Sequence, residues 1–201
     1  MKNKIVFASS NSGKMNELQT MLEQFQYQII PQASLGIDDA EETAMTFVEN
    51  ALLKARHACQ ESNKPAIADD SGLVVNALDG APGVFSARYS GKYANAEKNI
   101  EKLLNEMHDV PSEQRHAHFR CVLVYLEHAE DPAPLICEGI WHGMILHAPA
   151  GHHGFGYDPV FYVEDEQCSA AELSLEKKNQ LSHRGQALRI LIKKLKEKET
   201  E

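Results

Sequence analysis

Apolar positions along this chain switch between two spacings, and the switches predict an order of strands and helices. Lys4 to Ser9 is a short unbroken apolar stretch, expected as a buried strand, followed by a small polar loop through Lys14. Leu18, Met21, Leu22 and Phe25 fall three and four apart, the period of a helix with one apolar face. Tyr27 to Ile30 returns to strand and Pro31 ends it. Thr46 and Glu49 form an S/T-x-x-E capping signature, so a second helix is expected there, with Phe47, Val48, Ala51, Leu52 and Ala55 on its apolar face. Most of 65–78 looks like buried strand, and Ile100, Leu103, Leu104 and Met107 read as a third helix. Phe119 to Leu126 is another strand. Leu135 to Trp141 and Met144 to His147 are expected as two further paired strands. Ser169 and Glu172 repeat the capping signature and predict a short helix. Leu188, Leu191, Ile192 and Leu195 define the last helix, which runs into a charged tail. Strands alternating with helices, then a run of strands, predict a mixed α/β sheet with flanking helices in one folded unit.

One stretch breaks the apolar pattern. Asp69 and Asp70 stand side by side between Ala66-Ile67-Ala68 and Leu73-Val74-Val75. Two carboxylates among apolar neighbours are costly unless cations meet them. On a regular strand they point to opposite faces, and a kink at Ser71-Gly72, with the strand ending there, would let both serve one site. Oxygen ligands at such a strand end suit Mg²⁺; a carboxylate capping backbone N–H groups in a turn is the plainer alternative.

Composition narrows the chemistry. Of 201 residues, 24% are charged and the net charge is -9, which argues against a nucleic-acid polymer as partner but not against a phosphorylated small molecule. No apolar run is long enough to span a membrane. The four cysteines show no paired spacing, so free thiols in a cytoplasmic protein are expected.

Several stretches carry candidate chemistry. Ser9, Ser10, Asn11, Ser12, Gly13 and Lys14 lie between a strand and a helix, where backbone N–H groups and a lysine suit an anion, an ordinary turn with a solvated lysine being the equal alternative; Ala8 and Met15 exclude a Walker A loop. Glu41 and Glu42 precede the Thr46 helix, as dipole partners or metal ligands. Lys54 interrupts an apolar run. In GHHGFGYDP (151–159), Phe155 or Tyr157 offers a stacking ring, Gly156 permits close approach, and Asp158 accepts hydrogen bonds. His152-His153 reads as surface loop. Lys178, His183 and Arg184 supply donors near the last helix.

Taken in order, FASSNSGKMNEL, AEETAMTFVENALLKA, PAIADDSGLVVNALDGAPGVFSARYSG, HFRCVLVYL, GFGYDPVF, AAEL and SHRGQAL resemble the inosine/xanthosine triphosphate pyrophosphatase family. The resemblance implies an elongated mixed α/β fold, one domain over 1–201 with two lobes around a central cleft, usually a homodimer. It implies Mg²⁺-dependent hydrolysis of ITP, dITP and XTP to the monophosphate and pyrophosphate, which clears them from the nucleotide pool. It also implies roles: Ser9 to Lys14 as phosphate loop, Asp70 as general base and metal ligand, Ser71 beside the nucleotide, and Glu41 or Glu42 as second metal ligand. Lys54 would reach the phosphates, and Phe155 to Asp158, Lys178, His183 and Arg184 would read the base. A related enzyme for pyrimidine or modified nucleotides and a non-catalytic nucleotide-binding module are the competing readings. An aspartyl-nucleophile phosphatase is disfavoured because Asp69-Asp70-Ser71 lacks the DxDx[TV] spacing.

Overall fold

The computed structural model describes residues 3–22 and 27–198. Its strands are β1 (Asn3–Phe7), β2 (Tyr27–Pro31), β3 (Ala66–Val75), β4 (His116–Leu126), β5 (Leu135–Ile145), β6 (Phe161–Val163) and β7 (Cys168–Ser169). They form a mixed sheet in the order β2-β1-β3-β4-β5-β6-β7. β1 runs parallel to β2 and β3, while β5–β6 and β6–β7 are antiparallel. The α-helices are α1 (Ser12–Leu22), α2 (Phe47–Ser62), α3 (Ala96–Glu106), α4 (Leu175–Leu181) and α5 (His183–Lys198). Phe25, expected on the first helix, and the last three residues of the charged tail lie outside the described residues.

The chain packs as two compact units. One comprises Met1–Asp70, Cys121–Gly139 and Arg184–Glu201, the other Ser71–Arg120 and Ile140–His183. In the first unit, the two-residue period of the strands sorts the core into two layers. Ile5, Phe7, Ile67, Cys121, Leu123 and Tyr125 pack with Leu18 and Leu22 of α1 and with Leu188, Leu191 and Leu195 of α5. Their neighbours Val6, Ala66, Ala68, Val122, Val124 and Leu126 pack instead with Ala51, Ala55 and Ala58 of α2. Each fully buried leucine contributes about 1.5–3 kcal/mol relative to exposure. The alanines of α2 keep that helix close to the sheet. α2 starts as its capping signature predicts: Thr46 is extended and its Oγ1 accepts the Glu49 N–H at 3.3 Å.

The second unit has one core, with Leu73, Val75, Ile100, Leu103, Met107, Phe119, Trp141 and Phe161 at its centre. Arg115 is 2% exposed in that unit and is met by backbone. Its guanidinium donates to the carbonyls of Ile145, Met107, Val110 and Leu146 at 2.7–3.3 Å, closing the ends of α3 and β5.

Three expectations change. Leu135–Ile145 is one strand, not two, because alternate burial continues through His142 and Gly143. A side chain on Gly143 would meet the Tyr162 carbonyl at 2.4 Å, so the glycine marks close backbone approach rather than a break. Ser169 ends β7 instead of opening a helix: Glu172 Oε2 does reach back to the Ser169 N–H at 2.8 Å, but the helix starts later, capped by Ser174. Finally, β3 runs unbroken through Ser71-Gly72 to Val75, so Asp69 and Asp70 sit inside a strand and not at its end.

Candidate active site

An unbroken β3 decides what each carboxylate can touch. Asp69 shares its face with Ile67, toward α1 and α5; Asp70 shares its face with Ala66 and Ala68, toward α2. Both side chains are withdrawn from water, Asp69 completely and Asp70 to 6%.

Asp69 meets the first helix layer. Lys14 Nζ lies 2.9 Å from its Oδ2, and Arg184 Nη2 lies 3.6 Å from the same oxygen. Arg184 Nη1 also bonds Glu17 Oε2, and Glu17 stands three residues beyond Lys14 on α1. Burial works against the Asp69 charge, yet Lys14, Arg184 and Lys54 hold its carboxyl well below the usual carboxylate range. Burial also works against the Arg184 charge, and Asp69 and Glu17 outweigh it.

Asp70 meets the other layer. Lys54 Nζ donates to Asp70 Oδ1 at 3.2 Å and to Glu42 Oε1 at 2.7 Å, and Asn50 Nδ2 reaches Asp70 Oδ2 at 3.3 Å. Asn50 and Lys54 are four apart on α2 and so face the strand together. Burial raises the Asp70 pKa; Lys54 opposes that and Glu42 adds to it. Burial would lower the Lys54 pKa, but Asp69, Asp70 and Glu42 raise it overall. Lys54 is therefore a firmly charged ammonium beside a carboxylate with heightened proton affinity. Of the acidic doublet, Glu42 joins this group and Glu41 is exposed.

The polar loop enters α1 through Asn11, whose Oδ1 accepts the Lys14 N–H at 3.1 Å, while the Asn11 N–H bonds Ser9 Oγ at 3.2 Å. Ser10 is exposed, and Ser12-Gly13 opens the helix. These small residues bring Lys14 to the carboxylate.

The second unit holds the other candidates. Asp158 Oδ2 accepts from Lys178 Nζ at 2.7 Å and from the Phe155 N–H at 2.8 Å. The Lys178 ammonium lies 4.6 Å from the Phe155 ring centroid. Phe155 is 37% exposed, whereas Tyr157 is buried with its hydroxyl donating to the Ser86 carbonyl at 2.9 Å. Phe155 is thus the ring available for stacking, and Tyr157 anchors the loop. A side chain on Gly154 would come within 2.2 Å of Asp158 Oδ2, and one on Gly151 within 2.6 Å of the Ala171 backbone. Gly156 follows Phe155 with φ +63°, and His152 and His153 are exposed. His183 stacks on Phe119, with centroids 4.8 Å apart and planes 11° apart. Ser71, next to Asp70, is the first residue of this unit.

Sequence reading overlooked Glu17 and Asn50. Their spacings to Lys14 and Lys54, three and four, were the available signal.

Known proteins match nearly the whole chain. The Ham1 family model matches residues 5–194. A dITP/XTP pyrophosphatase of Shigella flexneri is 57% identical over 96% of this chain and 98% of that protein. The dITP/XTP pyrophosphatase of Escherichia coli K12 has the same identity and coverage. Among solved structures, a HAM1 protein from Coxiella burnetii superposes with a TM-score of 0.91 at 50% identity, covering 97% of this chain and 99% of that one. The Ham1 protein of Staphylococcus aureus gives 0.87 at 41% identity, covering 98% and 100%. With a family model spanning nearly its full length and relatives identical at more than half their positions, this chain belongs to the Ham1 family.

Proposed function

We propose that this protein is a nucleoside triphosphate pyrophosphatase that hydrolyses ITP, dITP and XTP to the monophosphate and pyrophosphate. The observation that carries this reading is the buried Lys54–Asp70 pair with the half-buried Glu42 beside it, a base of raised proton affinity next to a fixed ammonium. The relatives named dITP/XTP pyrophosphatase supply the substrate class.

In this mechanism a water attacks the α-phosphorus and passes its proton to the Asp70 carboxylate. The bond from the α-phosphorus to the α–β bridging oxygen breaks, and pyrophosphate leaves with that oxygen. Asn50 orients the Asp70 carboxylate. Lys54 and Lys14 stabilise charge on the phosphate oxygens, within a site that already holds them in place. Lys178 and Asp158 fix Phe155 for stacking on the base. Donors from Arg184 and from the backbone of Phe155 to Tyr157 would favour a 6-oxo purine, since a 6-amino group leaves such donors unpaired at about 1–3 kcal/mol each.

Mg²⁺ suits the donor set. Among the described residues no three His, Cys, Asp or Glu side chains group to enclose a metal, and Mg²⁺ normally takes only one or two carboxylates, with water and substrate phosphate completing its shell. Asp70 and Glu42 would hold it, their crowded negative charge being only partly offset by Lys54. When bound, the ion supplies Lewis-acid stabilisation of the phosphates.

The same reading makes the protein a cytoplasmic homodimer. Its free thiols support the compartment. No described helix is long and apolar enough to cross a membrane.

The test is the product pair formed from ITP with Mg²⁺. IMP and pyrophosphate are expected; IDP and phosphate, or unchanged ITP, would overturn the reading.

A further inference from the structure

Two cations of the first unit, Lys14 at 2.9 Å and Arg184 at 3.6 Å, share a single oxygen, Asp69 Oδ2. Glu17 completes the ring of charges, since it bonds Arg184 and lies one helical turn beyond Lys14. Exposure is unequal: the Lys14 side chain is 15% exposed, Arg184 4% and Asp69 0%. An incoming anion therefore reaches this ring through Lys14. A lysine ammonium has three donors and a flexible stem, so it can turn toward a phosphate. Asp69 is then left with less of its nearer counter-ion, and a buried carboxylate losing compensation draws on the next one. Arg184 stands beyond hydrogen-bond length and has room to shorten.

We infer that Asp69 is a positioning residue that couples Lys14 to Arg184, so that phosphate taken by Lys14 tightens Arg184 onto Asp69. Binding the phosphates of a nucleotide thereby sets the guanidinium before chemistry, and the two cations act as a pair. The inference rests on the reading that Lys14 meets substrate phosphate.

A binding cycle tests it without needing turnover. Inorganic tripolyphosphate with Mg²⁺ is titrated by calorimetry into the native protein, Lys14→Gln, Arg184→Lys and the double variant, with unfolding midpoints measured in parallel. Arg184→Lys is expected to weaken tripolyphosphate in the native background and to have little further effect once Lys14 is replaced, a departure from independence of roughly threefold or more. In an Asp69→Asn background the departure should vanish. Affinity losses that multiply independently would overturn the coupling, and this four-protein cycle decides even if Asp69→Asn does not fold. A normal affinity in Lys14→Gln would overturn it too, by removing the phosphate from Lys14. An intact cycle in a protein that leaves ITP unconverted would support the coupling and overturn only the pyrophosphatase reading.

Discussion

Lys54 Nζ stands 3.2 Å from Asp70 Oδ1, an ammonium aimed at a carboxylate inside a strand. Burial is the largest influence on Asp70 and raises its pKa despite that ammonium. Asp70→Asn should lower kcat/KM for ITP by about 10²–10⁴-fold, the usual contribution of a positioned base. Tripolyphosphate binding should persist. Steady-state kinetics beside calorimetry check both, and near-native turnover would remove Asp70 from the base role.

The two aspartates should pull stability in opposite directions with pH. Asp69 has a depressed folded pKa, so its contribution is present above the ordinary value of 3.8 and is lost as pH falls below it. Asp70 has a raised folded pKa, so its contribution is present below 3.8 and is lost as pH rises through the folded value. Urea denaturation at a series of pH values should show Asp69→Asn flattening the acid loss. Asp70→Asn should gain stability relative to native protein toward neutral pH. Parallel curves for all three proteins would contradict this.

Chelation by EDTA should abolish turnover and Mg²⁺ should restore it. Because Glu42 lies in the Lys54 group and Glu41 is exposed, Glu42→Gln should raise the Mg²⁺ concentration for half-maximal activity roughly tenfold. Glu41→Gln should leave it within about twofold. Metal titrations of initial rate separate the two.

Phe155→Ala should raise KM for ITP by about fivefold or more, since stacking on one ring is worth about 1–3 kcal/mol per base. Competitive inhibition by tripolyphosphate, which has no base, should not change. Equal losses for both ligands would place Phe155 outside base recognition.

Arg115→Ala should cost about 3 kcal/mol or more, because two buried and two partly buried hydrogen bonds from a charged donor are lost. Arg115→Lys should rescue only part, an ammonium being unable to span the fork. Denaturant midpoints check both.

How legible the site was in sequence depended on spacing. Thr46 and Glu49 gave the start of α2, and that start sets which helix face carries Lys54. The adjacency of Asp69 and Asp70 flagged the strand, and strand parity already implied opposite faces. The expected kink arose from Ser71-Gly72, where glycine in fact stays in the strand. The expected division between Trp141 and Met144 also disappears, since Gly143 sits at a close backbone approach inside the strand, which no local pattern shows. Arg184 showed as a basic residue near a helix start; its partners Asp69 and Glu17 lie 115 and 167 residues away, distances no local pattern encodes.

The loop 151–158 has uneven room for mutational drift. Gly151 and Gly154 are sealed by backbone and by Asp158, and Tyr157 is tied to Ser86, so changes there disturb the mount of the stacking ring. His152 and His153 face outward between them. Variation at those two positions can therefore proceed while the mount of the Phe155 ring stays intact.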